Sequence, residues 1–323
     1  MPAPSLPPAK WVMPAFFNSI AGLGRQHPRA RRGLAALDVI RDVPYGPLPE
    51  HRLDIYRSRA PGPSPAALYL HGGAFQILSK DTHWLMGLTF ARMGGTVFVP
   101  NYRLAPRNPY PAALEDACLA ALWVQANAAR FGADSGRLVL AGESAGANLA
   151  CGVAVAASWR RPEAFAAAIF DAQLQPALLF PACGMLQVTE PERLTARNPT
   201  LGRFVADRIQ EASVGYLCGQ TGALADPLCV LETAGPPERP FPPTFAAVGT
   251  RDPLLDDTRR LGHALTRLGV HAEVRYYPGE VHAFHAFYFR PAARRCWRDH
   301  GAFWQRYLPP PTPASGSAPA QTA

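Results

Sequence analysis

The spacing of apolar and polar positions changes period several times along this chain. Residues 51–57 (HRLDIYR) alternate apolar and polar, which predicts a half-buried strand. Residues 66–73 (AALYLHGG), an apolar run ending in glycines, and 96–102 (TVFVPNY), rich in β-branched and aromatic side chains, both predict strands. Residues 111–130 follow Pro111 and repeat apolar side chains at helical spacing through Leu114, Cys118, Ala121 and Leu122. A strand at 137–144 (RLVLAGES) runs straight into a helix at 145–157, and further strands are predicted at 176–184, 242–250 and 272–279. Strands alternating with helices imply a mostly parallel sheet covered by helices on both faces, an α/β fold.

Two segments break the alternation. Residues 11–45 precede the first predicted strand, and residues 186–230 separate two strands by more than an ordinary connection. Within the second, Val205, Ile209, Ala212 and Tyr216 fall on one helical stripe. The expectation is a main α/β domain over 46–308, roofed by an N-terminal cap segment, 1–45, and by a cap insertion around 186–230. Residues 1–10 and 309–323 are low in complexity and are expected to be disordered.

Composition narrows the classes. Of 323 residues, 48% are hydrophobic, enough for a sizeable core, and 17% are charged. The net charge is +8, but residues 1–60 carry +5 and residues 290–306 carry +4, so the body is close to neutral. A nucleic-acid binder concentrates basic residues on a binding face; basic ends on a neutral body argue against one. No run of eighteen uncharged apolar residues predicts a membrane span, and the Arg cluster at 25–32 lacks a long apolar face. The first ten residues lack the features of a secretory signal, so the expected compartment is the cytoplasm. Six cysteines without CxxC spacing are expected to be buried free thiols.

The chemistry concentrates in Gly142-Glu143-Ser144-Ala145-Gly146, a G-x-S-x-G pentapeptide directly after a predicted strand and before a predicted helix. That context predicts a sharp turn that lifts the Ser144 hydroxyl out of the sheet as a nucleophile, with a helix N-terminus beneath it. A serine needs a base, and the base needs a carboxylate to orient it. Asp252 follows the 242–250 strand at the strand end where open α/β sheets bind ligands. It is favoured over Asp256 and Asp257, which lie where the next helix begins and are expected to cap it. His282, on the loop after the last predicted strand, is the candidate base, with His285 as its rival. His71-Gly72-Gly73-Ala74-Phe75 would supply backbone N–H donors to an oxyanion from Gly72 and Gly73, with Ala145 as the third. His71 itself reads as a structural loop residue.

Taken in order, LDIY (53–56), HGGAF (71–75), NYRLAPRNPYPAALED (101–116), GESAG (142–146), DPLLDD (252–257) and HAF (282–284) resemble the hormone-sensitive-lipase-like group of α/β-hydrolase esterases across residues 38–306. The resemblance implies an α/β-hydrolase fold with an eight-stranded sheet, a helical cap, and carboxylester hydrolysis without a cofactor or metal. It implies a triad of Ser144, Asp252 and His282, and oxyanion donors Gly72, Gly73 and Ala145. The chain departs from the family pattern at Ala74, where a third glycine is expected, and at Glu143, where aspartate is frequent. The expected partner is a small-molecule ester of short to medium acyl length, with no nucleic acid and no stable membrane insertion. The resemblance also implies a homodimer through residues near 271–278 and 290–306. Two other readings use the same fold: an amidase or formamidase on the same triad, and a ligand-binding receptor such as the gibberellin receptors, which have lost the triad histidine. His282 is present here, which weighs against a pure binder.

Overall fold

The computed structural model describes residues 18–19, 21–59, 62–198 and 201–309. The expectations for residues 1–10 and for 310–323 lie outside these residues. Among the described residues, eight strands form one sheet: β1 (Leu37–Pro44), β2 (Arg52–Ser58), β3 (Ser64–Leu70), β4 (Thr96–Pro100), β5 (Ala133–Glu143), β6 (Pro176–Ala182), β7 (Thr244–Gly249) and β8 (Ala272–Tyr277). Their order across the sheet is β1-β2-β4-β3-β5-β6-β7-β8. β2 pairs antiparallel with β1 and with β4, and every pairing from β4 to β8 is parallel.

The helices in chain order are α1 (Pro28–Ala35), α2 (Trp84–Arg92), α3 (Ala112–Asn127), α4 (Ala145–Ser158), α5 (Ala164–Asp171), α6 (Glu192–Arg197), α7 (Arg203–Leu217), α8 (Pro227–Thr233), α9 (Leu255–Arg267) and α10 (Pro291–Tyr307). Successive strand residues point to opposite faces, and the core divides accordingly. Leu68, Leu70, Phe98, Leu138 and Leu140 pack with apolar side chains of α3, α4 and α9. Ala67, Tyr69, Val97, Val99, Val139 and Ala141 pack on the other face with α2 and with Trp297, Phe303 and Trp304 of α10. All fourteen residues of α4 are buried, which explains why its sequence is apolar all round. Its small side chains let it lie close to the sheet: a methyl group at Gly146 would stand 2.0 Å from the Leu70 carbonyl oxygen and 2.6 Å from that of His71.

Three expectations are corrected. Residues 37–44, grouped with the cap segment in the sequence reading, form β1 at the sheet edge. Its alternation is broken by a register shift between Ile40 and Val43. The half-buried strand expected at 51–57 is more deeply covered: Leu53, Asp54, Ile55 and Tyr56 of β2 are all buried, with the Asp54 carboxylate neutralised by Lys80 at 2.9 Å. Finally, Cys118, Cys151, Cys183 and Cys296 are buried, whereas Cys218 is exposed and Cys229 half-buried.

The insertion at 186–230 supplies α6 and α7, and α7 lies over the loop that follows β3. Tyr216 stacks on Phe75 with ring centroids 3.7 Å apart, and the Gln76 amide donates to the Glu211 carbonyl oxygen at 3.0 Å. The stripe expected on this helix is its inward face, since Ile209, Ala212 and Tyr216 are buried and Val205 is partly so. The described part of the N-terminal segment packs instead on α2, where Trp84 donates its indole N–H to the Ala21 carbonyl. Among the described residues, no helix is long and apolar enough to cross a membrane.

The contact of α4 with β3 yields a direct test. Gly146→Ala should force helix and strand apart and cost about 1–3 kcal/mol, the usual range for overpacking. A thermal unfolding curve should show a melting temperature several degrees lower; an unchanged one would mean that this close approach is not a constraint.

Candidate active site

Parallel register brings the C-terminal ends of the central strands to one edge. Leu70 of β3 is level with Gly142 of β5, Glu143 of β5 with Ala182 of β6, and Gly249 of β7 with Tyr277 of β8. The segments that follow these strands hold His71 to Phe75, Ser144, Asp252 and His282, so residues far apart in sequence share one edge of the sheet.

Ser144 occupies the tight turn between β5 and α4 with φ 52° and ψ −117°. A left-handed backbone is costly for a residue with a Cβ, and the surroundings hold it in place. The Ser144 N–H donates to the Ala182 carbonyl at 3.0 Å, and the Ser144 carbonyl accepts from Met185 at 3.2 Å. Both flanking glycines are needed for space. A methyl group at Gly142 would stand 2.4 Å from the Gly146 carbonyl oxygen. Ser144 is half-buried, and among the described residues its hydroxyl forms no hydrogen bond.

Asp252 and His282 meet as the sequence reading expected. His282 Nδ1 lies 3.0 and 3.1 Å from the two carboxylate oxygens of Asp252. The Leu254 N–H donates to Asp252 Oδ1 at 2.8 Å and fixes the carboxylate. Asp252 is buried, while the His282 side chain keeps 35% of its surface exposed. Burial by itself would drive the proton from His282, but the Asp252 charge outweighs it and holds the imidazole well above its ordinary pKa.

The rival residues are bound elsewhere. Asp257 does not cap α9; its buried carboxylate accepts from the Leu186 and Gln187 N–H groups at 2.9 and 3.1 Å and pairs with Arg193 at 2.6 Å. It anchors the chain after β6. Asp256 pairs with Arg197. His285 is buried and faces Glu143, 2.6 Å from Oε2.

Glu143 is the residue whose importance the sequence reading missed. Its other oxygen, Oε1, lies 2.7 Å from His83 Nε2. One buried carboxylate thus joins three segments: the turn carrying Ser144, the loop before α2, and the loop carrying His282. Burial would raise the Glu143 pKa, but hydrogen bonds from His285 and His83 outweigh it and keep the group well below the usual carboxylate range. His83 Nδ1 lies 3.0 Å from the Ser79 carbonyl oxygen. The Thr82 hydroxyl lies 2.9 Å from the same nitrogen, so His83 is held at both ends of its ring.

His71 has the structural role expected. It is buried, its Nδ1 is 2.7 Å from the Gly72 carbonyl oxygen, and its ring stacks on Tyr102. Burial, reinforced by the neighbouring His83, lowers its pKa to about 3, so it is neutral at pH 7. Beyond it the loop turns sharply. Gly73 has φ 116°, and Ala74 and Phe75 follow with φ 56° and 61°. Ala74 therefore adopts the left-handed backbone that the expected third glycine would take freely. Among the described residues, the N–H groups of Gly72, Gly73 and Ala145 donate no hydrogen bond, which leaves three backbone donors beside the Ser144 turn.

The described residues around this cleft thus offer a hydroxyl on a tight turn, a carboxylate-oriented imidazole and free backbone donors. This set suits nucleophilic attack on a carbonyl and stabilisation of the resulting oxyanion. A protein-family model described as the alpha/beta hydrolase fold matches residues 67–286, more than half of the chain. Carboxylesterase NlhH of Mycobacterium tuberculosis is 32% identical over 225 residues, a match covering 68% of this chain and 66% of NlhH. Esterase LipI of the same organism is 30% identical over 264 residues, covering 80% of this chain and 76% of LipI. Among solved structures, esterase LipW from Mycobacterium marinum superposes with a TM-score of 0.76 at 27% identity, covering 94% of this chain and 91% of that one. The chain spans just under two thirds of the length of NlhH. On the extent of these matches, the chain belongs to the alpha/beta hydrolase fold family.

Proposed function

We propose that this protein is a carboxylesterase that works through a covalent acyl intermediate on Ser144. The single observation that carries the proposal is the buried Asp252 carboxylate gripping His282 Nδ1 at the strand edge where the Ser144 turn also emerges. That hydrogen bond fixes the tautomer with Nε2 free to accept a proton. As substrate settles in the cleft, Ser144 gives its proton to His282 Nε2 and its Oγ attacks the ester carbonyl. The developing oxyanion is met by the N–H groups of Gly72, Gly73 and Ala145. His282 then protonates the departing alcohol, and a water activated by the same ring releases the acid. All the groups required are amino-acid side chains and backbone amides, so no cofactor is part of the mechanism. The names of NlhH, LipI and LipW support the ester as substrate class.

The cap sets the expected substrate size. The buried face of α7 reaches Phe75 beside the donor loop, so the acyl chain meets a wall of bounded depth. Each methylene that fits adds about 0.8 kcal/mol of binding, and further carbons then collide with that wall. Hydrolysis of p-nitrophenyl esters should peak between acetyl and hexanoyl and fall by decanoyl. Ser144→Ala should lower kcat on the best ester by about 10⁴ to 10⁶, because the triad acts as a unit. A variant keeping a tenth of the wild-type rate would remove Ser144 from the role.

The raised pKa of His282 gives a pH dependence with a defined sign. The base must be neutral to accept a proton, so activity is lost as pH falls through the raised value. The acid limb of kcat/KM, which reports the free enzyme, should have its midpoint above 6.5. Asp252→Asn should cost about 10⁴ in rate by presenting the wrong tautomer. A midpoint at or below 6.5, or near-normal activity in Asp252→Asn, would contradict this reading.

Glu143 is assigned a positioning role: it braces the Ser144 turn against the His282 loop. Glu143→Ala leaves His83 and His285 buried without their acceptor and should lower kcat about 10–100-fold, the range seen when a supporting residue of a site is lost. Glu143→Gln keeps the shape of the side chain and both contacts, because the amide can accept from one histidine and donate to the other. It should retain most of the rate. Equal losses in the two variants at equal folded fraction would show that the charge, and not the brace, is what matters.

A further inference from the structure

Cys183 takes no part in the reaction proposed above, yet it lies against the reacting groups. It is the first residue after β6, fully buried, with a left-handed φ of 39°. Its N–H is tied to the Ala247 carbonyl of β7 at 2.8 Å. Its Sγ, a carboxylate oxygen of Asp252 and a ring nitrogen of His282 all lie within 4.8 Å of one another. Among the described residues, no other group of three cysteine, histidine or acidic side chains comes together in this way. Of the remaining buried cysteines, Cys296 meets a single histidine, His300, at 3.6 Å, and neither Cys118 nor Cys151 joins such a group.

Thiolate, carboxylate and imidazole are the donor types that zinc takes, at about 2.3, 2.0–2.2 and 2.0–2.1 Å respectively. Tetrahedral bonds of those lengths place the donor atoms roughly 3.3–3.7 Å apart. The Nδ1 and carboxylate oxygens, at 3.0 and 3.1 Å, are already near that spacing. The thiol has to move by no more than about an ångström to complete it. The carboxylate is also pre-oriented, since the Leu254 N–H occupies only Oδ1. His282, with 35% of its side chain exposed, offers the approach from solvent.

We propose that Cys183, Asp252 and His282 form a site for a soft divalent cation of the zinc type, and that occupation switches the enzyme off. The inhibitory part rests on the reading of Ser144, Asp252 and His282 given above. On binding, the S–H bond of Cys183 breaks and its proton leaves to solvent, while zinc–sulfur, zinc–oxygen and zinc–nitrogen bonds form. The ring proton of neutral His282 moves from Nδ1 to Nε2, because Nδ1 now gives its lone pair to the metal. No electrons are transferred. A ring protonated at Nε2 cannot accept the Ser144 proton, so the base is lost while the hydroxyl and the backbone donors stay in place.

The test uses the full chain freed of metal with a chelator, as wild type, Cys183→Ser and Cys183→Ala. Zinc is titrated against hydrolysis of p-nitrophenyl butyrate, each protein being referred to its own metal-free rate. The wild type should be inhibited and recover with EDTA, and the variants should need about 10–100-fold more zinc for the same inhibition. Cobalt(II) binding is followed in parallel: the wild type should develop a thiolate-to-cobalt charge-transfer band that both variants lack. A wild type that is insensitive to zinc, or variants as sensitive as the wild type, would overturn the site. The cobalt band separates the two claims. Its presence in a protein without esterase activity would leave the metal site standing and remove the esterase reading. Its absence from an active esterase would do the reverse.

Discussion

The left-handed backbone at Ser144 is the constraint on which the rest of the site depends. A chain leaving β5 has no intrinsic reason to adopt it, since the conformation is unfavourable for serine. It is held because α4 must start at once and lie against β3, so closely that a methyl group at Gly146 would overlap the Leu70 carbonyl. The glycines at 142 and 146 are therefore required by packing as much as by the turn. The same packing sets the Ala145 N–H, at the start of α4, beside Gly72 and Gly73. The proposed nucleophile and oxyanion donors thus follow from one helix–strand contact.

Electrostatics completes what packing begins. Two buried carboxylates, Asp252 and Glu143, each meet histidine. Asp252 meets His282, which remains partly exposed, as the proposed base must. Glu143 meets His83 and His285, both buried, and serves as a fixed brace. His282 and His285 are three residues apart on one loop, yet their surroundings give them unrelated tasks. Burial and access, rather than residue type, distinguish the proposed base from the structural ring.

Much of this was legible in the sequence because it is local. Seven of the eight strands could be read from period and composition, as could the helix after Ser144, the inward stripe on α7, and the meeting of Asp252 with His282. β1 escaped because an edge strand needs little continuous apolar character, and the irregularity between Ile40 and Val43 breaks its alternation. Asp257 was misjudged because its position at a helix start suggests a cap, whereas its partners at 186, 187 and 193 lie in the chain after β6. The double contact of Glu143 left no sequence signal: its partners are 60 and 142 positions away. Such pairings depend on strand order, which local periodicity does not encode.

The central claim is that Ser144 forms a covalent bond with the substrate acyl group. It is tested most directly by treating the native protein with an organophosphonate that mimics the tetrahedral intermediate and mapping the adduct by peptide mass spectrometry. This account predicts a single stoichiometric adduct on the peptide carrying Ser144, with loss of activity in proportion to labelling. An adduct on another residue that abolishes activity while Ser144 stays unmodified would contradict it.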